Sequence, residues 1–397
     1  MSEGKTMTTT AEEQDRLLWG PRMALERARQ NTEMWADLAY CGQSTNEGPI
    51  ADRNRAARFA VLWALQYDRR PKDLPLLRFL LQQQTTYYRE AVPCGMAPDL
   101  TLAGFLVAEH RQAEDLWLHW DAKNISFDTA LGYHLYHLLT AGIAATTETV
   151  RASSHPDRER ILGNIASARH TDAAVEEWLG HQRTRFPSDP AAEGLKSWAH
   201  HAARLGDREA SRLFMTEWAA GESRTSDTLN TLQFHLAQLG YLAEAVEVQK
   251  EAVAISDSSW SGARVSKLLT LARLQRRTDD YAGARQTLQE AQCSLPSDKQ
   301  GFDQGIWRHF VKECFLLVPS APDASTAHRL LAASEQDLHG IPRLWMDRVL
   351  DAAIAAAEHL CDQPALHRYR TQQQAAARER DQEVGRPRQS TSGPAPS

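Results

Sequence analysis

The sequence predicts an all-α protein, built as an α-solenoid of stacked antiparallel helical hairpins. Helix-favouring Leu, Ala, Gln, Glu and Arg are abundant, whereas runs of β-branched residues are rare. Apolar residues recur three and four positions apart, which is the spacing of a buried helix face. No alternating strand pattern of five or more residues is evident. The clearest helical segments are Leu17–Trp35, Ala56–Tyr67, Leu229–Leu239 and Val349–His359.

Composition divides the 397-residue chain into five segments. Residues 1–10 and 378–397 are polar and lack periodicity, so we expect them to be disordered, because they cannot bury enough apolar surface to offset the entropy of ordering. Residues 11–145 form a predicted N-terminal block of helical hairpins. The polar residues 146–160 are interpreted as a linker, and residues 161–377 as a second helical block.

The N-terminal block carries a weak internal similarity. Asp73–Leu81 resembles Asp99–Val107, and Asp128–Leu139 is a looser echo further along the chain. Each segment begins with Asp, a residue that accepts backbone N–H bonds at helix N-termini. The pattern predicts stacked hairpins whose helices are capped by these aspartates, although chance similarity between leucine-rich helices explains it equally well.

The second block contains a clearer repeat. Leu229–Ile255 reads as a helix, a short turn at Gly240, and a second helix with small residues at Ala245 and Ala252. Val265–Pro296 follows the same plan. Its turn lies at Asp280, its small residues are Ala284 and Ala291, and it ends at Pro296.

A poorer copy, Gly194–Ala220, precedes these two units and turns at Gly206, 34 residues before Gly240. The three units resemble tetratricopeptide repeats (TPRs), a family of helical-hairpin repeats with this period. After Pro296 the pattern predicts four more helices. They lie near Asp303–Leu317, Thr326–Leu338, Arg343–Leu360 and Pro364–Ala377.

The TPR resemblance implies a binding groove. In that family the first helix of each hairpin lines a concave surface that holds a peptide. The positions that the resemblance places there are Lys196, His200, Asn230, Phe234, Gln238, Arg273, Arg276 and Arg277. Their arginines are suited to an acidic partner, because guanidinium groups bind carboxylates through paired hydrogen bonds. The alternative is an ordinary solvated helix face.

A second candidate site lies in residues 109–137, which are dense in His, Trp and acidic side chains. Its members are Glu109, Trp117, His119, Trp120, Asp121, Tyr133, His134 and His137. On a helix, His134 and His137 would share one face and could bind a metal. His119 and Asp121 could instead act as a base and its orienting carboxylate. The competing interpretation is that the aromatic residues fill a hairpin core.

Charge and motifs narrow the function further. The net charge of −6 and the pI near 6.2 argue against nucleic-acid binding, which usually requires a basic surface. The mean hydropathy is −0.51 and no apolar run reaches the ~20 residues of a membrane span. The five cysteines are widely spaced and form no CxxC pair. No phosphate loop, dinucleotide fingerprint, zinc-protease helix or serine nucleophile elbow occurs.

The sequence therefore favours a non-catalytic, cytoplasmic, bacterial protein that acts as a regulator or scaffold. It would bind a protein or peptide on the concave face of its repeats, and self-association through that face is a further expectation. No cofactor, metal, nucleic acid or membrane partner is expected. The rival hypothesis is a helical enzyme, or a metal- or small-ligand-binding protein, with its site in residues 109–137.

Overall fold

The structure is a computed structural model, and it describes residues 10–45, 48–167, 170–256, 261–295, 304–342 and 346–384. Within these ranges the protein has nineteen α-helices and one two-stranded sheet, so the predicted all-α class is confirmed. The chain divides into two compact units, Met1–Trp218 and Ala219–Ser397. The predicted disorder of residues 1–9 and 385–397 lies outside the described residues.

The first unit is built from helices α1 to α11, and the last of them crosses the boundary between the units. Their bounds are α1 Thr10–Gln30, α2 Arg55–Tyr67, α3 Leu74–Ala91, α4 Pro98–Ala108, α5 Leu116–Lys123, α6 Phe127–Gly132, α7 Ile143–Ala152, α8 Arg158–Ser167, α9 Asp172–Arg185, α10 Leu195–Arg204 and α11 Arg208–Gly221. Short 3-10 helices lie at Thr32–Leu38, Pro71–Asp73, Ala113–Asp115, Leu135–Leu139 and Pro190–Ala192. The main core joins α2, α3 and α4 through leucines such as Leu62, Leu77 and Leu106.

A small antiparallel hairpin is the element that the periodicity missed. Strand β1 spans Gly42–Thr45 and β2 spans Gly48–Asp52, with Gly42 paired to Asp52. Strand β2 has five residues, but its sequence GPIAD has no alternation of apolar residues, so a search for alternating patterns does not find it. Asp52 anchors the hairpin instead, because its carboxylate forms a fully buried ion pair with Arg58 of α2.

The boundaries predicted from composition differ from the observed ones. Residues 146–160, interpreted as a linker, contain the end of α7 and the start of α8, with a non-helical stretch only at 153–157. These helices bury Val150 and Ile161 in a second core cluster, so the stretch is part of unit 1. The predicted disordered tail also begins too early, because α19 continues through residue 384.

The three aspartates predicted to cap helices form ion pairs or hydrogen bonds with other parts of the chain instead. Asp73 makes no cap bond to α3 and lies 2.7 Å from the buried Arg29 guanidinium. Asp99 lies inside the first turn of α4 and is ion-paired with Arg204. The Asp128 carboxylate accepts the Gly95 backbone N–H at 2.7 Å. The capping prediction is wrong for Asp73 and Asp99 because guanidinium groups bind their carboxylates, and wrong for Asp128 because its carboxylate accepts the Gly95 N–H.

The second unit is a succession of helices that pack in chain order. Their bounds are α12 Ser226–Leu239, α13 Leu242–Ala254, α14 Ser261–Arg277, α15 Tyr281–Ser294, α16 Gln304–Leu317, α17 Ala324–Leu338, α18 Asp347–His359 and α19 Gln363–Val384, with a 3-10 turn at Val318–Ser320. Each of α12 to α18 packs against the helix that follows it, and α14 and α18 also pack against α16. The four helices predicted after Pro296 are α16 to α19.

The repeat turns share one backbone geometry. Gly206, Gly240 and Asp279 each end the first helix of a hairpin with φ between 59° and 87°, in the left-handed region. In each case the next residue donates its N–H to the carbonyl five positions back, at 2.9 Å. This is the Schellman motif, which satisfies the carbonyls exposed at a helix end. Cys361, with φ of 53°, makes the same turn between α18 and α19.

The Cys361 turn gives a first stability prediction. A left-handed conformation costs an L-residue about 1 kcal/mol, and glycine avoids that cost. We expect Cys361→Gly to raise the free energy of unfolding by up to about 1 kcal/mol, because the side chain is exposed and leaves no cavity. The reciprocal control is Gly206→Ala, with open space around the new methyl group but a φ of +82°, which should lower stability by about 1 kcal/mol. Urea unfolding of both variants measures the contrast, and two changes of the same sign would contradict the turn geometry.

Candidate functional site

The left-handed turn residue fixes a common register for the hairpins. Counting six residues back from Gly206, Gly240 and Asp279 reaches His200, Phe234 and Arg273, and all three are exposed. Counting four residues back from each turn reaches a buried position in all three hairpins: Ala202, Leu236 and Gln275. The predicted groove positions are therefore equivalent in their hairpins and lie on the helix face turned away from the hairpin core.

Helix α12 presents an exposed stripe of three predicted residues. Asn230, Phe234 and Gln238 follow each other at four-residue intervals, so they lie on one face of the helix. Leu232 and Leu236 occupy the opposite face and are buried. Phe234 is 61% exposed, so it presents an apolar side chain on an otherwise polar helix surface.

Helix α14 separates the three predicted arginines. Arg273 and Arg277 are exposed at positions one turn apart. Arg276 points elsewhere, because its Nη2 lies 3.3 Å from the Glu313 carboxylate of α16 and both side chains are largely buried. Arg276 therefore ties α14 to α16, whereas its role in binding a partner stays a prediction.

Positive charges from three helices converge beside Arg273. The pKa of His309 on α16 lies below its ordinary value, first because burial of the ring disfavours the imidazolium ion. The charges of Arg308, Lys312, Arg273 and Arg348 lower this pKa further. These residues belong to α14, α16 and α18, and α16 packs against both of the other helices. We call Arg273, Arg308, His309, Lys312 and Arg348 the basic face.

Two predicted groove residues lie in unit 1, on α10. Lys196 is exposed, and its ammonium group lies 5.0 Å from the centre of the Trp218 ring. His200 is also exposed. Arg204 lies one turn after His200 on α10. It pairs with Asp99 and stacks on Phe59, so its side chain packs inside unit 1.

The candidate site in residues 109–137 does not assemble as one site. Glu109 pairs with Arg69 and Arg183, at 3.0 and 2.7 Å. Trp117 stacks on His155, and the Trp120 indole N–H donates to Asp157 at 2.9 Å. Asp121 is exposed and lines a polar pocket beside Gln82 and Arg89 of α3.

The rest of that segment forms a buried aromatic cluster. His119, Tyr133 and His137 are 0–2% exposed, and the rings of Tyr133 and His137 stack with centroids 4.1 Å apart. His137 also meets the edge of Trp178, while His134 stacks on the same indole at the cluster's border. His134 and His137 do not share an α-helix face as predicted, because His134 caps the short 3-10 helix that contains His137, and His137 Nδ1 lies 2.9 Å from the His134 carbonyl.

The hydrogen bonds assign a role to each ring. Burial raises the pKa of the Tyr133 phenol well above its ordinary value, so its O–H donates to His119 Nδ1 at 2.7 Å. The predicted partnership of His119 with Asp121 is therefore wrong. Burial lowers the pKa of His119 to about 3, and that of His137 well below its ordinary value. Both rings are neutral at pH 7.

The cluster is consistent with core packing. Among the described residues there is no group of three or more His, Cys, Asp or Glu side chains that could hold a metal ion. In the same part of the chain, no helix combines the length and apolarity needed to cross a membrane. Comparison of the chain with protein-family models and with curated proteins finds no match.

The sequence predicts only part of the basic face. Arg273 is one of the predicted groove positions, whereas Arg308, His309, Lys312 and Arg348 are not. Arg308 and Lys312 are four residues apart, a spacing that places them on one helix face. These four positions could not be predicted because neither α16 nor α18 ends in a glycine turn. Without that turn, the sequence does not show which face of each helix is exposed.

Proposed function

We propose that the second unit binds an acidic segment of a protein partner on its basic face, with Phe234 providing an apolar contact. In this proposal α12 to α19 form a TPR-like solenoid, and the protein acts as a non-catalytic scaffold or regulator. The observation that carries the proposal is the convergence of four cations from α14, α16 and α18 around His309. Like charges gathered at one surface repel each other, so they favour a ligand of opposite charge.

The composition of the face supports a peptide rather than a small anion. The exposed arginines and Phe234 are residue types enriched at protein interfaces. Phe234 and Arg273 each lie six residues before a turn, on the first helices of neighbouring hairpins. An extended or helical partner with alternating acidic and apolar side chains matches this spacing. Two copies of the face would repel each other, which argues against self-association through it.

Charge reversal tests the proposal. We expect Arg273→Glu to weaken binding of a fluorescent Glu/Leu peptide at least tenfold, because it removes one attraction and adds one repulsion. Raising the salt concentration should weaken the wild-type interaction, since exposed charges are screened. Arg378→Glu, an exposed charge reversal on α19, is the matched control and should leave the affinity unchanged. Fluorescence anisotropy measures all three proteins.

A second readout reports on the site itself. A bound acidic peptide should raise the pKa of His309, because its carboxylates offset the surrounding cations, and an NMR titration with and without peptide measures this shift. Equal affinity of wild type and Arg273→Glu would refute the proposal. So would tighter binding of a Lys/Leu peptide of the same length.

A further inference from the structure

A pocket in the second unit lies apart from the basic face. It encloses about 270 Å³ between α15, α16 and α17. Helix α16 packs against both of the other helices, and residues of all three helices line the pocket. Its size is just below the ~300–1,000 Å³ range of pockets that bind small organic molecules.

The floor of the pocket is apolar. Leu288, Phe310 and Leu317 come from α15 and α16, and each is at most 6% exposed in the folded protein. Cys314 lies between Phe310 and Leu317 on the same helix face. Burial raises the pKa of its thiol, and the charges of Asp337 and Glu313 raise it further, so the sulfur is neutral. The floor is therefore apolar and uncharged, so the aliphatic chain of a ligand can pack against it.

The rim of the pocket is cationic. Arg285 on α15 and Arg329 on α17 both line it, and both are exposed. The Arg329 guanidinium donates to Ser325 Oγ at 3.1 Å and to Thr326 Oγ1 at 2.9 Å, which holds it along the first turn of α17. A guanidinium has five N–H donors, so three remain for a ligand.

One carboxylate lies close to this rim. Asp323 accepts the backbone N–H and the hydroxyl of Thr326, each at 2.8 Å, as the N-cap of α17. These bonds lower its pKa, and Arg329 contributes to that shift. Asp323 therefore offsets part of the Arg329 charge, and Arg285 supplies a second cation.

We propose that this pocket binds a free medium-chain carboxylate, with its acyl chain on the floor of Leu288, Phe310 and Leu317 and its carboxylate between Arg285 and Arg329. The enclosed apolar floor selects an unbranched chain of limited length, and the two arginines select an anionic head group. The site does not depend on the binding of an acidic partner to the basic face.

Calorimetry with decanoate below its micelle concentration tests the proposal. We expect decanoate to bind with one-to-one stoichiometry, about tenfold more tightly than octanoate, because two more methylenes are buried. We also expect about tenfold weaker binding of decanol, which lacks the charge. Arg285→Gln and Arg329→Gln should each weaken decanoate binding about tenfold, whereas Arg378→Gln on α19 should leave it unchanged.

A blocking variant separates the pocket from other surfaces. Ala333 is exposed on the pocket wall, so Ala333→Trp should fill the space without disturbing the core, and circular dichroism checks the fold. Loss of decanoate binding in a folded Ala333→Trp protein supports the site. The proposal is overturned if wild type binds no decanoate, if decanol binds equally well, or if the pocket variants bind like wild type.

Discussion

Acidifying the protein from pH 7 to pH 5 is expected to lower the free energy of unfolding of the first unit by about 4 kcal/mol. The cause is the pair of buried imidazoles, His119 and His137. Burial lowers the pKa of His119 from 6.5 to about 3, and that of His137 well below 6.5. His119, His134 and Lys123 also contribute their charges to the shift at His137.

The sign follows from proton linkage. In the unfolded chain both histidines take up a proton as the pH falls below 6.5, whereas in the fold they stay neutral. The unfolded state therefore binds more protons, and stability decreases as the pH falls. Each histidine contributes about 1.4 kcal/mol per pH unit below 6.5, or about 2 kcal/mol at pH 5. The full stabilisation is present above pH 6.5.

A variant that keeps the packing but loses one titrating group isolates this effect. His137→Phe preserves a ring between Tyr133 and Trp178, so the loss of stability on acidification should fall to about half. His181→Gln removes a histidine from the surface of α9 and should leave the pH dependence unchanged. Urea unfolding at several pH values between 7 and 5 gives the slopes. Parallel slopes for wild type and His137→Phe would show that the buried rings do not control the acid response.

The hairpins of the second unit could be predicted because their signals are local. Each hairpin is marked by a turn residue, a small residue in the next helix and regularly spaced apolar residues, all within about thirty residues. Gly240 is such a turn residue and Ala245 such a small residue. The turn at Cys361 could not be predicted from residue type, because a non-glycine residue adopts the left-handed conformation there.

The candidate sites depended on contacts between distant segments, which one sequence does not reveal. Residues 109–137 resemble a single site in sequence, yet Glu109 pairs with Arg183 and Trp120 with Asp157. The same limit applies to the basic face, where Arg273 and Arg348 belong to α-helices separated by three others in the chain. Charge at one position is visible in sequence, but the convergence of charges requires the packing of α14, α16 and α18.

Replacing Gly104 by Ala is expected to cost the first unit about 3 kcal/mol, a larger penalty than a single methyl group usually causes. Gly104 lies in the buried helix α4, directly beneath Tyr133. A β-carbon there would overlap the Tyr133 hydroxyl and would lie 2.8 and 2.9 Å from two ring carbons. An interior packed this tightly cannot absorb such contacts without moving side chains or backbone.

The contacts of Tyr133 hold its side chain in place, so the loss of stability in Gly104→Ala should be large. Its ring is stacked on His137, its hydroxyl donates to His119, and Lys123 Nζ holds its backbone carbonyl at 2.8 Å. Displacing the ring would break these contacts together and leave His119 Nδ1 buried without its donor. The destabilisation must also exceed the gain of about 1 kcal/mol that alanine brings to a helix interior.

Two further variants make the cause of the Gly104 effect measurable. Gly163→Ala places the same methyl group in α8 with open space around it, so it should raise stability by about 0.5–1 kcal/mol. Adding Tyr133→Phe to Gly104→Ala removes the overlapping hydroxyl and should restore part of the loss. The two ring contacts and the unpaired His119 nitrogen prevent a full recovery. Thermal unfolding compares the variants, and if Gly104→Ala were as stable as Gly163→Ala, Tyr133 could not be packed against α4 as described.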